Sequence, residues 1–167
     1  MAILAIDPGN IESAYVLVDN DLSRVIDKGK VLNEDLKRML EIDWCCSCAI
    51  PPINYIAIEM IASYGMAVGK SVFDTCVWIG RFYQIGMDHY GVEPTLIYRS
   101  EEKMCLCGNM RAKDSNIRQA LIDRFGEVGT KKNPGFFYGF KKDIWAAMSV
   151  CVAFHDKYLD EQTKVFF

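Results

Sequence analysis

Met1-Ala2-Ile3-Leu4-Ala5-Ile6-Asp7-Pro8-Gly9 opens the chain with an apolar run that ends in one acid and breaks at Pro-Gly. That is the pattern of a buried strand delivering a carboxylate to its end. A buried carboxylate is costly to keep ionised alone, so Asp7 calls for a counter-charge, best supplied by a divalent cation shared with other acids. Two further acids adjoin apolar segments in the way this requires: Glu59 after Tyr55-Ile56-Ala57-Ile58, and Asp143 ahead of Ile144-Trp145-Ala146-Ala147-Met148. Together the three form a candidate site.

Outward from Asp7, the β-formers of Ser13 to Val18 and the weaker run Arg24 to Val31 predict an antiparallel meander with the first strand. Asn33 is placed to cap a first helix with Glu34 and Asp35 in its opening turn. Pro51-Pro52 closes the next connection, and Asn54 to Ile58 reads as a central strand parallel to the first, setting Glu59 beside Asp7. A long helix from about Lys70 to His89 is apolar nearly all round, which predicts burial on more than one side, a subunit interface being the candidate for the extra face. Pro94 to Tyr98 is a fifth strand. Asp114 and Ser115 open a helix ended by Gly126, a loop with an Asn133-Pro134-Gly135 turn spans Glu127 to Phe140, and the last helix starts near Asp143. The order β-β-β-α-β-α-β-α-α resembles the ribonuclease H-like arrangement, an α/β fold with a five-stranded mixed sheet flanked by helices. In it the ends of the first and fourth strands converge with the start of the last helix.

The 167 residues are expected to form one domain, and 51% hydrophobic content suffices for its core. The first apolar run lacks a basic leader and is cut by Asp7, so neither a signal peptide nor a membrane helix is expected, and the protein is expected to be soluble and cytoplasmic. Seven cysteines then read as reduced thiols. The net charge of −3 is unevenly spread: residues 109–142 hold eight basic and three acidic side chains, a local +5 that leaves −8 elsewhere. This asymmetry fits a polyanion-binding face beside an acidic body, the alternative being a solvated surface.

Three carboxylates at one point can hold Mg²⁺, with Mn²⁺ as substitute, and two such ions clamp the attacking and leaving oxygens of an in-line phosphoryl displacement. Phosphodiester hydrolysis is the chemistry that follows. Each acid also has a plain reading: Asp7 as a turn residue, Glu59 as a strand-end charge, Asp143 as a helix N-cap. Their joint placement at the converging positions of one fold favours the site.

Leu4-Ala-Ile-Asp7-Pro-Gly9, Ile56-Ala-Ile-Glu59, Gly108-Asn-Met-Arg-Ala-Lys113 and Lys142-Asp-Ile-Trp-Ala-Ala-Met148 resemble, in order and spacing, the RuvC-like Holliday junction resolvases. The run Arg111 to Asp123, with Lys132-Asn-Pro-Gly-Phe-Phe-Tyr138, is similar to the bacteriophage branch. The resemblance covers nearly the whole chain. It implies a Mg²⁺-dependent homodimer that binds four-way DNA junctions and nicks two opposed strands symmetrically. By the same resemblance Asp7, Glu59 and Asp143 are the catalytic, metal-binding acids. Cellular members carry a second Asp one turn further along the last helix, where this chain has Ala146; Asp114 is the nearest replacement, although its position also suits an N-cap. Lys113 and Arg111 match a basic region near the scissile phosphate, suited either to offsetting transition-state charge or to anchoring phosphate. Tyr64 matches an aromatic placed against opened base pairs, with core packing as its other reading. Arg118, Lys131, Lys132, Lys141 and Lys142 complete the expected DNA-binding set, and Phe136, Phe137 and Tyr138 divide between touching DNA and capping the sheet.

Cys45 with Cys48 and Cys105 with Cys107 give a spacing one residue short of a four-thiolate zinc site, against plain thiols. Three alternatives stand beside the resolvase reading: a broader flap or branched-DNA nuclease, a junction-binding module without catalysis, and an actin-like phosphotransferase. The last needs two domains and a nucleotide cofactor, and 167 residues with one Asp-Pro-Gly supply neither.

Overall fold

Successive side chains on a strand point to opposite faces of its sheet. β1 (Ala2–Asp7) sends Ile3 and Ala5 to one face and Ala2, Leu4 and Ile6 to the other, and all five are fully buried, so this strand lies in the middle of the sheet. A computed structural model describes residues 1–44, 50–63, 65 and 67–160. In it β2 (Glu12–Asp19) and β3 (Val25–Leu32) form the antiparallel meander with β1, whereas β4 (Ile53–Met60) and β5 (Thr95–Tyr98) join in parallel. The sheet order is β3-β2-β1-β4-β5, the five-stranded mixed sheet expected from the sequence.

One face carries α1 (Asn33–Arg38), a following π-helical turn (Met39–Asp43) and α2 (Lys70–Tyr90), packed through Leu36, Leu40, Ile79, Phe82 and Ile85. Gly86 admits close packing on this side, because a Cβ there would lie 2.6 Å from Pro94 Cγ. The other face is covered by α5 (Asp143–Phe154), buried from Ile144 onward except at Ala146, and by α4 (Asp114–Phe125) through Ile117 and Leu121. Phe137 and Phe140, from the loop after α4, pack edge-on to one another and both against Trp145.

Three features differ from the expectations. A helix, α3 (Arg99–Cys107), follows β5 directly. Its residues lack a continuous apolar stripe, and it is started instead by the Glu101 carboxylate accepting from the Tyr98 N–H at 2.9 Å, and stopped at Gly108, φ 62°. Asn33 does not cap α1, whose N-cap is Leu32; its amide is buried and turned back to the loop after β1. The outer face of α2 is not covered by the described residues, since Phe73 and Val77, one turn apart, are 60% and 55% exposed.

Candidate active site

The alternation that buries β1 also places its acid. Asp7 continues the Ile3–Ala5 face and Glu59 continues the face of Ala57, both on the α5 side, and the parallel register Ile6↔Ile58 sets the two acids next to each other. The Asp7 carboxyl donates a hydrogen bond to Glu59, and burial, followed by the charge of Glu59 and this bond, pushes Asp7 up to about 9. Burial raises Glu59 as well, partly offset by the bond from Asp7 and by the Arg99 charge. The pair therefore keeps a proton on Asp7 well above the pH at which a free carboxyl releases it.

The turn after Asp7 is tied from behind. Asn33 Nδ2 donates to the Gly9 carbonyl at 2.9 Å, and Ser13 Oγ, which accepts from Gly9 N–H, donates to Asn33 Oδ1 at 2.6 Å. Gly9 is required by contact, because a Cβ there would lie 2.3 Å from the Glu12 carbonyl oxygen.

Asp143 opens α5 as expected, immediately after Lys142, whose φ of 36° is unusual for a side chain with a Cβ. Its Oδ2 lies 2.6 Å from Lys30 Nζ, and the same ammonium is 3.5 Å from Glu12 Oε2. Lys30 pairs across the sheet with Ala14, and Ala14 with Asp7, so the lysine belongs to the acid-bearing face. Asp7, Glu12, Lys30 and Asp143 line one cleft. Asp143 also borders a second cleft with Arg99, Asp114, Arg118, Lys142 and Ala146.

An acid that the sequence reading missed stands behind this second cleft. Glu102 is fully buried on α3; Arg99 Nη1 donates to its Oε2 at 2.6 Å, and the Ser149 hydroxyl of α5 bonds the same oxygen. Glu102 Oε1 has no hydrogen-bond partner among the described residues. Burial first, then the charge of Glu59, pushes this carboxyl up to about 8 against the pull of Arg99 and Ser149. Without α3 in the sequence reading, nothing gave Glu102 a direction; the one available signal was its spacing of three from Arg99, which lets the two meet on a helix. Asp114 corrects a second expectation. It is the first residue of α4 and not its N-cap, and its exposed carboxylate accepts from Arg99 Nη2 at 2.6 Å.

Among the basic candidates, Arg118 borders the second cleft with its guanidinium 4.7 Å from the Trp145 ring centroid, and Lys142 borders it from the other side. Arg111 and Lys113 are exposed on a neighbouring surface with Asn109 and Asn116, and Lys131, Lys132 and Lys141 are exposed. Phe137 is fully buried, Phe136 stacks on Phe125, and Tyr138 is exposed. Tyr64, Cys45 and Cys48 lie outside the described residues. Cys105 Sγ lies 3.8 Å from Asp156 Oδ2, and no cluster of histidine, cysteine and acid that could hold a metal ion as it stands occurs among the described residues.

The donors nevertheless suit a hard divalent cation. Two adjoining, half-buried carboxylates that need a proton to coexist, with Asp143 across the cleft and an uncommitted carboxylate oxygen on Glu102, form an all-oxygen set whose excess negative charge a cation would neutralise.

No protein-family model and no curated protein sequence matches this chain. Its fold does match solved structures. Thermus thermophilus RuvC superposes with a TM-score of 0.67 at 14% identity over 98% of both chains. T. thermophilus RuvC in complex with a Holliday junction substrate superposes at 0.71 and 16% identity, covering 98% of this chain and 97% of the other. This chain therefore has the fold of RuvC, and its own paired acids stand at the adjacent ends of two parallel strands.

Proposed function

We propose that this chain is a divalent-cation-dependent endonuclease that resolves four-way DNA junctions by paired, symmetric nicks. The observation that carries the reading is the Asp7–Glu59 pair, two carboxylates pressed together at the ends of β1 and β4 and sharing a proton where a cation would otherwise stand. The RuvC fold and the ordered motifs supply the substrate class, and the motif run from Arg111 to Tyr138 supports the bacteriophage branch.

Asp7, Glu59 and Asp143 are the residues that would hold Mg²⁺, or Mn²⁺ in its place. When bound, such ions supply Lewis acidity at the scissile phosphodiester. The chain's own groups do the rest. Asn33 and Ser13 fix the turn that aims Asp7. Arg118 and Lys142, flanking the second cleft, bind and orient the phosphate backbone, with Arg111, Lys113, Lys131, Lys132 and Lys141 extending the basic track. Two opposed nicks need two such sites, and the exposed Phe73–Val77 face of α2 is the surface through which two copies would pair.

The test is incubation of labelled four-way junction, flap, fork and linear duplex with Mg²⁺. Paired nicks in the junction that Asp7→Asn abolishes, with binding retained, support the resolvase. Preferential cutting of flaps or forks makes the protein a broader branched-DNA nuclease, and tight junction binding with no cleavage by the wild type makes it a binding module.

A further inference from the structure

A fully buried carboxylate is normally satisfied at both oxygens, because an unpaired buried acceptor carries its whole desolvation cost. Glu102 breaks this rule at one atom. Its Oε2 is held by the Arg99 guanidinium from its own helix and by the Ser149 hydroxyl from α5, while Oε1, with no solvent contact, has no partner among the described residues. Among the charges acting on Glu102, Glu59 opposes its ionisation most strongly, and Glu102 acts in turn on Asp7, so it stands in the field of the acid pair.

We infer that Glu102 joins Asp7 and Glu59 in holding the catalytic cation, contributing the Oε1 oxygen that the protein leaves bare. This rests on the reading of the Asp7–Glu59 pair as a cation site. One oxygen anchored by protein donors and the other kept free is the arrangement that orients a carboxylate ligand for a metal. Arg99 fits the same role from outside: its second nitrogen is bound to Asp114, so the guanidinium is fixed at both ends and holds Glu102 in one orientation. A mere tie between α3 and α5 would use the Ser149 and Arg99 bonds alone, and a glutamine carbonyl accepts both without a buried charge, its amide N–H groups then taking the place of the bare Oε1.

That difference gives the experiment. Melting temperature is followed across a Mn²⁺ titration, and in EDTA, for the full-length wild type, Glu102→Gln and Asp7→Asn. The wild type is expected to gain stability with Mn²⁺, Asp7→Asn to lose most of that gain, and Glu102→Gln to melt in EDTA no lower than the wild type while its apparent Mn²⁺ affinity falls roughly tenfold or more. A Glu102→Gln protein with wild-type Mn²⁺ affinity, beside an Asp7→Asn protein that has lost it, overturns the role of Glu102 and leaves the cation site standing. A wild type with no response to Mn²⁺ overturns both. Should Glu102→Gln fail to fold, wild-type protein labelled with ¹³C at the glutamate side-chain carboxyls answers the question: Mn²⁺ is expected to broaden the Glu102 and Glu59 signals together at the lowest occupancy, and a Glu102 signal no more affected than that of Glu101 overturns the inference.

Discussion

The Lys30 ammonium lies 2.6 Å from Asp143 Oδ2, so the acid that opens the last helix is already paired with a side chain from the edge strand β3 on the same face of the sheet. Any cation drawn to Asp143 competes with Lys30. Replacing Lys30 by Met is predicted to strengthen Mn²⁺ binding by roughly threefold to tenfold, from the loss of one competing positive charge across a half-exposed site. Both partners are substantially exposed, so the melting temperature should move by no more than about 2 °C. Weaker Mn²⁺ binding by Lys30→Met would mean that Lys30 holds Asp143 in place for the cation instead of occupying its position.

The acid pair gives an inverted pH dependence. Asp7 rises from its ordinary 3.8 to about 9 on folding, so the folded chain holds a proton that the unfolded chain has released across that window, and stability falls as pH rises through it. In EDTA the wild type should lose about 4 kcal/mol, roughly 10 °C in melting temperature, between pH 6 and pH 9. Asp7→Asn should flatten the slope. Mn²⁺ should stabilise the wild type more at pH 8 than at pH 6, because it displaces the shared proton. A wild-type melting temperature that climbs between pH 6 and pH 9 in EDTA would refute the shared-proton description.

Asn33 is predicted to matter more than its distance in sequence from Asp7 suggests. Asn33→Ala removes the bond to the Gly9 carbonyl and leaves the buried Ser13 hydroxyl without its acceptor. The expected cost is about 2 kcal/mol, or roughly 5 °C. Junction cleavage should fall further than junction binding, since the released turn carries Asp7. Equal losses in the two would place the effect elsewhere.

The exposed side of α2 is the predicted contact between two copies. Val77→Glu, at a position 55% exposed, should leave the melting temperature of a dilute sample within about 2 °C of the wild type while converting a dimer to a monomer in light scattering at micromolar concentration. A wild type that is already monomeric, or a Val77→Glu protein that stays dimeric, would remove α2 from the interface.

How far the sequence carries the fold depends on which signals are local. The β1 run, the β4 run and the opening of α5 are short apolar segments ended by acids, and their register follows from the period-2 alternation that buries one face; this is why the juxtaposition of Asp7 and Glu59 was legible. The helix α3 was not, because Arg99-Ser-Glu-Glu-Lys presents no apolar stripe and its start depends on one carboxylate-to-backbone bond. With α3 unseen, the burial of Glu102 could not be inferred. Asp114 misled for a related reason: a carboxylate at a helix start satisfies an N-cap rule, but here it is claimed by Arg99, which α3 brings within reach. Lys30 carries no motif at all and enters the site only through its cross-strand position opposite Ala14.

The most direct test of the central claim is where a cation goes. Crystals grown with Mn²⁺ at pH 8 and measured at the manganese absorption edge should show an anomalous peak between the Asp7 and Glu59 carboxylates, with the hydrogen bond between them gone. A map with no peak at that position, and with Asp7 still bonded to Glu59, would contradict the account.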